Sequence, residues 1–181
     1  MNAYTQFRRH ARIVNRMITM TSSSRLCLED IVQKLPHTAR YSPARPCRIY
    51  WRFEDRIPVQ LFPKGTIQVL GRHATPTACE HIRNFLQTHL SLSLSPPCLH
   101  SCTVSCRIAP HLFSLNKLPS NHHVSNEYEL FPGTLIRYST QPHRRVHLCF
   151  FSNGTCIVTG ALSLRDAYRH VRRCMKKFHI T

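Results

Sequence analysis

The side chains most apt for chemistry in this 181-residue chain are nine cysteines and 13 histidines, and four of them share one short segment. Cys98, His100, Cys102 and Cys106 have the same parity, so on a strand they would line one face. Cys and His are zinc ligands, but a structural zinc site usually draws them from paired knuckles on separate turns, because four donors must close a tetrahedron. Donors strung along one strand cannot do that, so the expectation is reduced thiols and no metal. Acid chemistry has little to work with. The carboxylates number eight, three Asp (Asp30, Asp55, Asp166) and five Glu. Nucleophile-elbow, P-loop, dinucleotide and H-E-x-x-H patterns do not occur. No enzyme activity and no cofactor are expected.

The opposite sign dominates. Lys and Arg total 25, giving a formal net charge of +17. Such a field attracts polyanions and accelerates encounter with them. Nucleic acid is the partner this implies, with a virion or membrane-surface protein as the plainer alternative. Apolar residues make up 42%, enough for a packed core. The apolar runs fall short of the ~18–20 residues of a membrane helix, and Arg12, Arg16 and Arg25 interrupt any signal-like stretch. A soluble intracellular protein follows, in which an odd number of cysteines forms no disulfide framework.

The elements that must position these groups come in duplicate. Val59–Gly71 (VQLFPKGTIQVLG) matches Leu148–Gly160 (LCFFSNGTCIVTG): Phe62 with Phe151, Gly65 with Gly154, Gly71 with Gly160, at a constant offset of 89 residues. Each copy reads as a β-hairpin turning at glycine. A helix follows each. In the first, Thr75 caps and Pro76 suits the first turn. In the second, Ser163 and Asp166 form a capping box, and Leu164, Ala167, Tyr168, Val171, Cys174, Met175 and Phe178 form an apolar stripe opposite the arginines. Upstream, strands are expected at Ile13–Met20, Cys47–Phe53, Leu99–Arg107 and Thr134–Tyr138, with short helices at Leu28–Leu35 and around His111–Leu118. Ser91–Pro97 reads as a connector, so the repeats span residues 1–92 and 93–181. The fold class is α+β: two tandem pseudo-symmetric repeats joined edge to edge into one curved antiparallel sheet, with helices on the convex side and the concave face open.

The run Glu127–Gly133 (EYELFPG), then a strand, then Phe150–Ala161 (FFSNGTCIVTGA) and an amphipathic helix, resembles the C-terminal repeat of the TATA-box-binding protein family. The first repeat is similar mainly through this internal symmetry and its YSPxR…LF…G pattern. The resemblance implies a saddle-shaped sheet with helices on the convex face, seated on the DNA minor groove and bending it with apolar wedges.

Residue by residue, the resemblance puts wedges at Phe131 and Phe151 in the second repeat, and at Phe62 and Pro46 in the first, where Pro46 stands for a Phe. Arg52 and Arg137 match phosphate-contacting arginines. Thr159 matches a groove-contacting Thr. The groove-centre Asn positions fall on Asn15 and His100, and groove-facing valines on Met17 and Cys102. Gln60, Gln68, His147 and Cys149 also face the groove. Polar groups among these can hydrogen-bond the guanine amino group that an apolar face leaves unpaired, so A·T preference is expected to be relaxed. Thr66 and Thr155 replace family lysines, whose phosphate contacts Lys64, Arg72, Arg144 or Arg145 can supply.

Glu127, Glu129 and Leu130 match the family's docking site for a transcription-factor-IIB-like partner, which brings RNA polymerase. The implied role is a DNA-binding transcription initiation factor acting in a nucleus, a host's if the chain is viral. The second reading is a basic DNA-packaging protein that keeps the fold without sequence preference.

Overall fold

The chain, as a computed structural model, is described over residues 3–109, 124–125, 133–141 and 144–177. In order its elements are α1 (Ala3–His10), β1 (Arg12–Thr21), α2 (Leu28–Lys34), β2 (Arg40–Ser42), β3 (Arg48–Phe53), β4 (Ile57–Leu61), β5 (Thr66–Gly71), α3 (Pro76–Leu90), β6 (Cys98–Arg107), β7 (Val124–Ser125), β8 (Gly133–Gln141), β9 (Arg144–Phe151), β10 (Thr155–Ala161) and α4 (Leu164–Lys177). Among the described residues no helix is long and apolar enough to cross a membrane. The short helix expected around His111–Leu118 lies outside the described residues, as does Phe178.

Two units result, Asn15–His100 and Met1–Val14 together with Ser101–Thr181. In the first, antiparallel strands run in the order β2-β3-β4-β5-β1. Every second residue faces one side, and Ile18, Met20, Ile49, Trp51, Val59, Leu61, Ile67 and Val69 pack there against Cys79, Ile82 and Leu86 of α3. The hairpin closes through Phe62 N–H to the Thr66 carbonyl at 2.9 Å and Gly65 N–H to the Phe62 carbonyl at 3.0 Å. Gly65 holds φ +89°, and an added Cβ would sit 2.8 Å from the Ser24 carbonyl oxygen, so both conformation and space demand glycine. Thr75 caps α3, its hydroxyl accepting from Ala78 N–H at 3.2 Å.

The other unit repeats the plan as β6-β10-β9-β8-β7. Val104, Ile136, Val146, Leu148, Phe150, Cys156 and Val158 meet Ala167, Val171, Cys174 and Met175 of α4. The Ser163 hydroxyl accepts from Asp166 N–H at 3.0 Å. The Asp166 carboxylate accepts from Leu162 N–H at 3.0 Å, one residue earlier than in a standard capping box. His170, unexpected on this face, is 4% exposed.

An element the sequence reading did not anticipate completes this core. Phe7 of α1 is fully buried in it, with its ring edge-on to Tyr168 at 5.6 Å between centroids. The Tyr168 hydroxyl donates to the Arg8 carbonyl at 3.1 Å, and Ala109 N–H donates to Gln6 Oε1 at 2.7 Å. The N-terminal helix therefore completes the core of the C-terminal half.

The thiols behave as apolar side chains. Cys79, Cys102, Cys106, Cys156 and Cys174 are buried and no cysteine is bonded to another. Burial pushes the Cys79 and Cys106 thiols up to about 11 and Cys156 well above its ordinary range, so they stay protonated and inert.

Candidate nucleic-acid interface

Strand alternation leaves each sheet with a second face that its own helices do not cover. In the unit Asn15–His100, register sets Arg40 beside Tyr50, Tyr50 beside Gln60, Gln60 beside Gln68 and Gln68 beside Thr19. One polar row thus crosses five strands. Arg52 pairs with Pro58, and Met17 with Leu70, in the next row. In the other unit the equivalent row runs Leu135, Cys149, Ile157, Ser105, and its neighbour runs Arg137, His147, Thr159. Gln60 corresponds to Cys149, and Gln68 to Ile157, at the hairpin offset of 89.

Phe62 and Phe151 stand at the last position before each glycine turn, on this face, and both are only partly buried. A Phe of the strand core would be fully buried, as Phe150 is at 2%. Cys47, Phe62, Pro63, Lys64, Thr66 and Gln68 line an apolar concavity of about 410 Å³. Pro46, the expected stand-in for a second ring, is exposed beside Cys47. Phe131, Glu127, Glu129 and Leu130 lie outside the described residues.

Hydrogen bonds orient several of the polar groups. Asn15 Oδ1 accepts from Gly71 N–H at 2.8 Å. The amide must then turn its NH₂ away from that bond, which makes Asn15 a donor toward whatever covers the face. Arg48 donates to Gln60 Oε1 at 3.2 Å, with the same consequence for Gln60. Arg52 Nε donates to the Tyr50 hydroxyl at 3.1 Å and remains exposed. His147 lies between Arg137 and Thr159. Burial first, then the charges of Arg137 and Arg145, hold its imidazole below the ordinary histidine range, so it faces outward uncharged at neutral pH. Burial likewise raises the Cys149 thiol.

Two expectations for β6 need correction. Cys102 does not face the groove: it is 1% exposed and belongs to the core of its unit with Val104 and Cys106. Alternation therefore gives the open face to Ser101, Thr103 and Ser105, each partly exposed, and the groove-centre position expected at His100 falls on Ser101. The β-branched Val104 was the signal that could have set this parity; the Cys/His spacing drew attention to the wrong face. The four Cys/His side chains also divide, Cys98 and His100 being exposed while Cys102 and Cys106 are in the core, so they do not converge.

Cations missed by the sequence reading border both open faces. His37, Arg40, Tyr50 and Arg52 line a concavity of about 560 Å³, with Thr38 and Asp55 at it. In the other unit His10, Arg12, Ser105, Cys106, Arg107 and Thr155 line one of about 310 Å³. Arg107 pairs in register with Thr155, the position where a hairpin lysine was expected. Two guanidinium groups and two hydroxyls around one concavity suit a phosphate oxygen.

Comparison with known proteins agrees with this geometry. The family model described as transcription factor TFIID, or TATA-binding protein, matches residues 10–89 and again 99–179. The TATA-box-binding protein of Thermococcus celer is 25% identical over 173 residues, covering 92% of this chain and 89% of the relative. The solved TBP of Methanococcus jannaschii superposes with a TM-score of 0.72 at 19% identity, over 95% of this chain and 99% of the other.

Proposed function

The chain belongs to the TATA-box-binding protein family, and from that premise we propose that this DNA-binding transcription initiation factor reads and bends promoter DNA through the open faces of its two units. The observation that carries the reading is the placement of Phe62 and Phe151: each is part-exposed at the same corner of its open face, immediately before a glycine turn. Rings so placed can enter a base step from the minor-groove side. Unstacking costs a few kcal/mol and is offset by the contacts that a bent duplex makes along the sheet.

Around these wedges the other roles follow from chemistry. Arg52 and Arg137, exposed at the borders of the rows, neutralise phosphates. Asn15 and Gln60 offer N–H donors to the adenine N3 and thymine O2 acceptors. Met17, Thr159, His147 and Cys149 shape the contact surface, with Gln68 and Ser101 as further hydrogen-bonding groups. Pro46 is the weaker wedge of its pair, because its ring is small and not aromatic. From the sequence pattern, Phe131 partners Phe151, and Glu127, Glu129 and Leu130 receive a factor-IIB-like protein that recruits RNA polymerase. The protein performs no catalysis in this role and needs no cofactor.

DNA fragments carrying the site at permuted positions test the wedge. Mobility should vary with position for the wild type and flatten for Phe62→Ala and Phe151→Ala, with salt-dependent affinity much less affected. Equal loss of bending and affinity, or uniform mobility with the wild type, would favour the packaging reading. Glu127→Arg should abolish the ternary complex with a factor-IIB-like protein while DNA binding stays intact.

A further inference from the structure

The outward cations of α4 have no counterpart on α3. The caps of α3 and α4, Thr75 and Ser163, each accept from the backbone N–H three residues on, and so align the two helices at an offset of 88. At that offset Arg165, Arg169, Arg172 and Lys176 correspond to Thr77, His81, Asn84 and Thr88, and all eight are exposed. The same outward positions carry four formal charges on one helix and none on the other, with histidine neutral. Both helices bury their opposite faces in equivalent cores, so folding alone does not account for the difference.

The row is regular. Residues i, i+4, i+7 and i+11 lie along one side of a helix over about 16 Å, and Arg173, also exposed, stands next to it. Asp166 is the helix's single acid. Its carboxylate is turned to Leu162 N–H and lies 3.4 Å from His170 Nε2, where it serves the cap. The α1 helix, locked to α4 through Phe7 and Tyr168, adds exposed Arg8 and Arg9. Leu162, the one large apolar side chain exposed among the described residues, precedes the helix and is no part of the row.

We infer that the outer face of α4 is a second nucleic-acid surface, which takes the phosphodiester backbone of a duplex separate from the one on the open face. Within this unit α4 covers one side of the sheet and the open face is the other, so one straight duplex cannot meet both. A protein interface is usually anchored by buried aromatic side chains together with arginine, and the row brings arginine with no aromatic companion. Guanidinium groups predominate in it, and they match phosphate oxygens in bidentate geometry. One molecule can therefore hold two duplex segments at once, a bridging activity beyond promoter recognition.

Mass photometry with two duplexes of different length tests this at near-physiological salt. The wild type should form particles of one chain with both duplexes. R165Q/R169Q/R172Q/K176Q, with an unchanged far-ultraviolet spectrum, should lose the second duplex about tenfold or more, while affinity for the first stays within about threefold. R165K/R169K/R172K should keep more of the second duplex than the glutamine variant and less than the wild type, because charge is retained and bidentate geometry is lost. Second-duplex capture by the glutamine variant equal to that of the wild type would overturn the proposal. So would a wild type that saturates at one duplex, or one that instead retains a polyglutamate peptide through α4. Flattened mobility of permuted fragments with Phe62→Ala/Phe151→Ala, with second-duplex capture through α4 intact, separates failure of the open-face reading from failure of this one.

Discussion

Arg48 donates to Gln60 Oε1 at 3.2 Å, and because a guanidinium can only donate, the Gln60 amide is held with its NH₂ outward. Its register neighbours Tyr50, Gln68 and Thr19 are all hydrogen-bonding groups. The equivalent row of the other unit holds Leu135, Cys149, Ile157 and Ser105. The guanine amino group finds lone pairs on Tyr50, Gln68 and Thr19 of the first row, where Gln60 presents only donors, and little beyond a thiol and the Ser105 hydroxyl on the second. An unpaired buried donor costs about 1–3 kcal/mol. Selection from random duplex pools should therefore return an asymmetric site, A·T-restricted at one end and tolerant of G·C at the other. Gln68→Val should restrict the tolerant end. A symmetric A·T site from the wild type would refute this.

Arg12 and Arg107 flank Ser105 and Thr155 around one concavity. Each phosphate neutralised contributes about 0.9 to the slope of log affinity against log salt. Arg12→Gln/Arg107→Gln should lower that slope by about 0.9 and weaken all duplex sequences alike. An unchanged slope would remove the pair from the interface.

Gly71 and Gly160 are repeat equivalents with different surroundings. Both have positive φ, but a Cβ on Gly160 would lie 2.4 Å from the Arg145 carbonyl oxygen, whereas on Gly71 the nearest atom is Pro58 Cδ at 3.6 Å. Gly71→Ala should cost about 1–2 kcal/mol from conformation alone. Gly160→Ala should cost clearly more, because backbone must shift where β10 is irregular between Val158 and Ala161. Thermal unfolding of the two variants measures the order, and equal losses would contradict it.

His147 links stability to pH. Burial and the neighbouring Arg137 and Arg145 lower its folded-state pKa, so the unfolded chain takes up the proton first as pH falls. Its contribution is complete above the ordinary histidine range of about 6.5 and is lost as pH drops through that range toward the folded value. Urea midpoints at neutral and mildly acidic pH should differ less for His147→Gln than for the wild type. Arg137→Gln should raise the imidazole pKa only part of the way, since burial is the larger cause; proton NMR would read this directly.

Thiol labelling should follow burial. Cys27 and Cys98 are exposed, Cys47 and Cys149 intermediate, and the remaining five buried. Native alkylation followed by mass spectrometry should mark the first pair fastest and spare Cys79, Cys102, Cys106, Cys156 and Cys174 until the protein unfolds. Early labelling of Cys102 would return it to the open face.

The duplicated hairpins, their glycine turns, the caps at Thr75 and Ser163 and the helical stripes were legible in the amino-acid sequence, because local conformation and period-2 or period-3.6 burial write themselves into neighbouring residues. So was the family, since EYELFPG and FFSNGTCIVTGA are contiguous words. The parity of β6 was not. Cys, Ser and Thr suit either side of a strand, and only packing against Val158 and α4 decided that Cys102 and Cys106 belong inside. Nor could the sequence show that Phe7 fills a core built from residues about a hundred positions away, or that Arg12 and Arg107 meet at Thr155. Those relations join residues far apart along the chain, and they exist only once the sheet has brought its strands side by side.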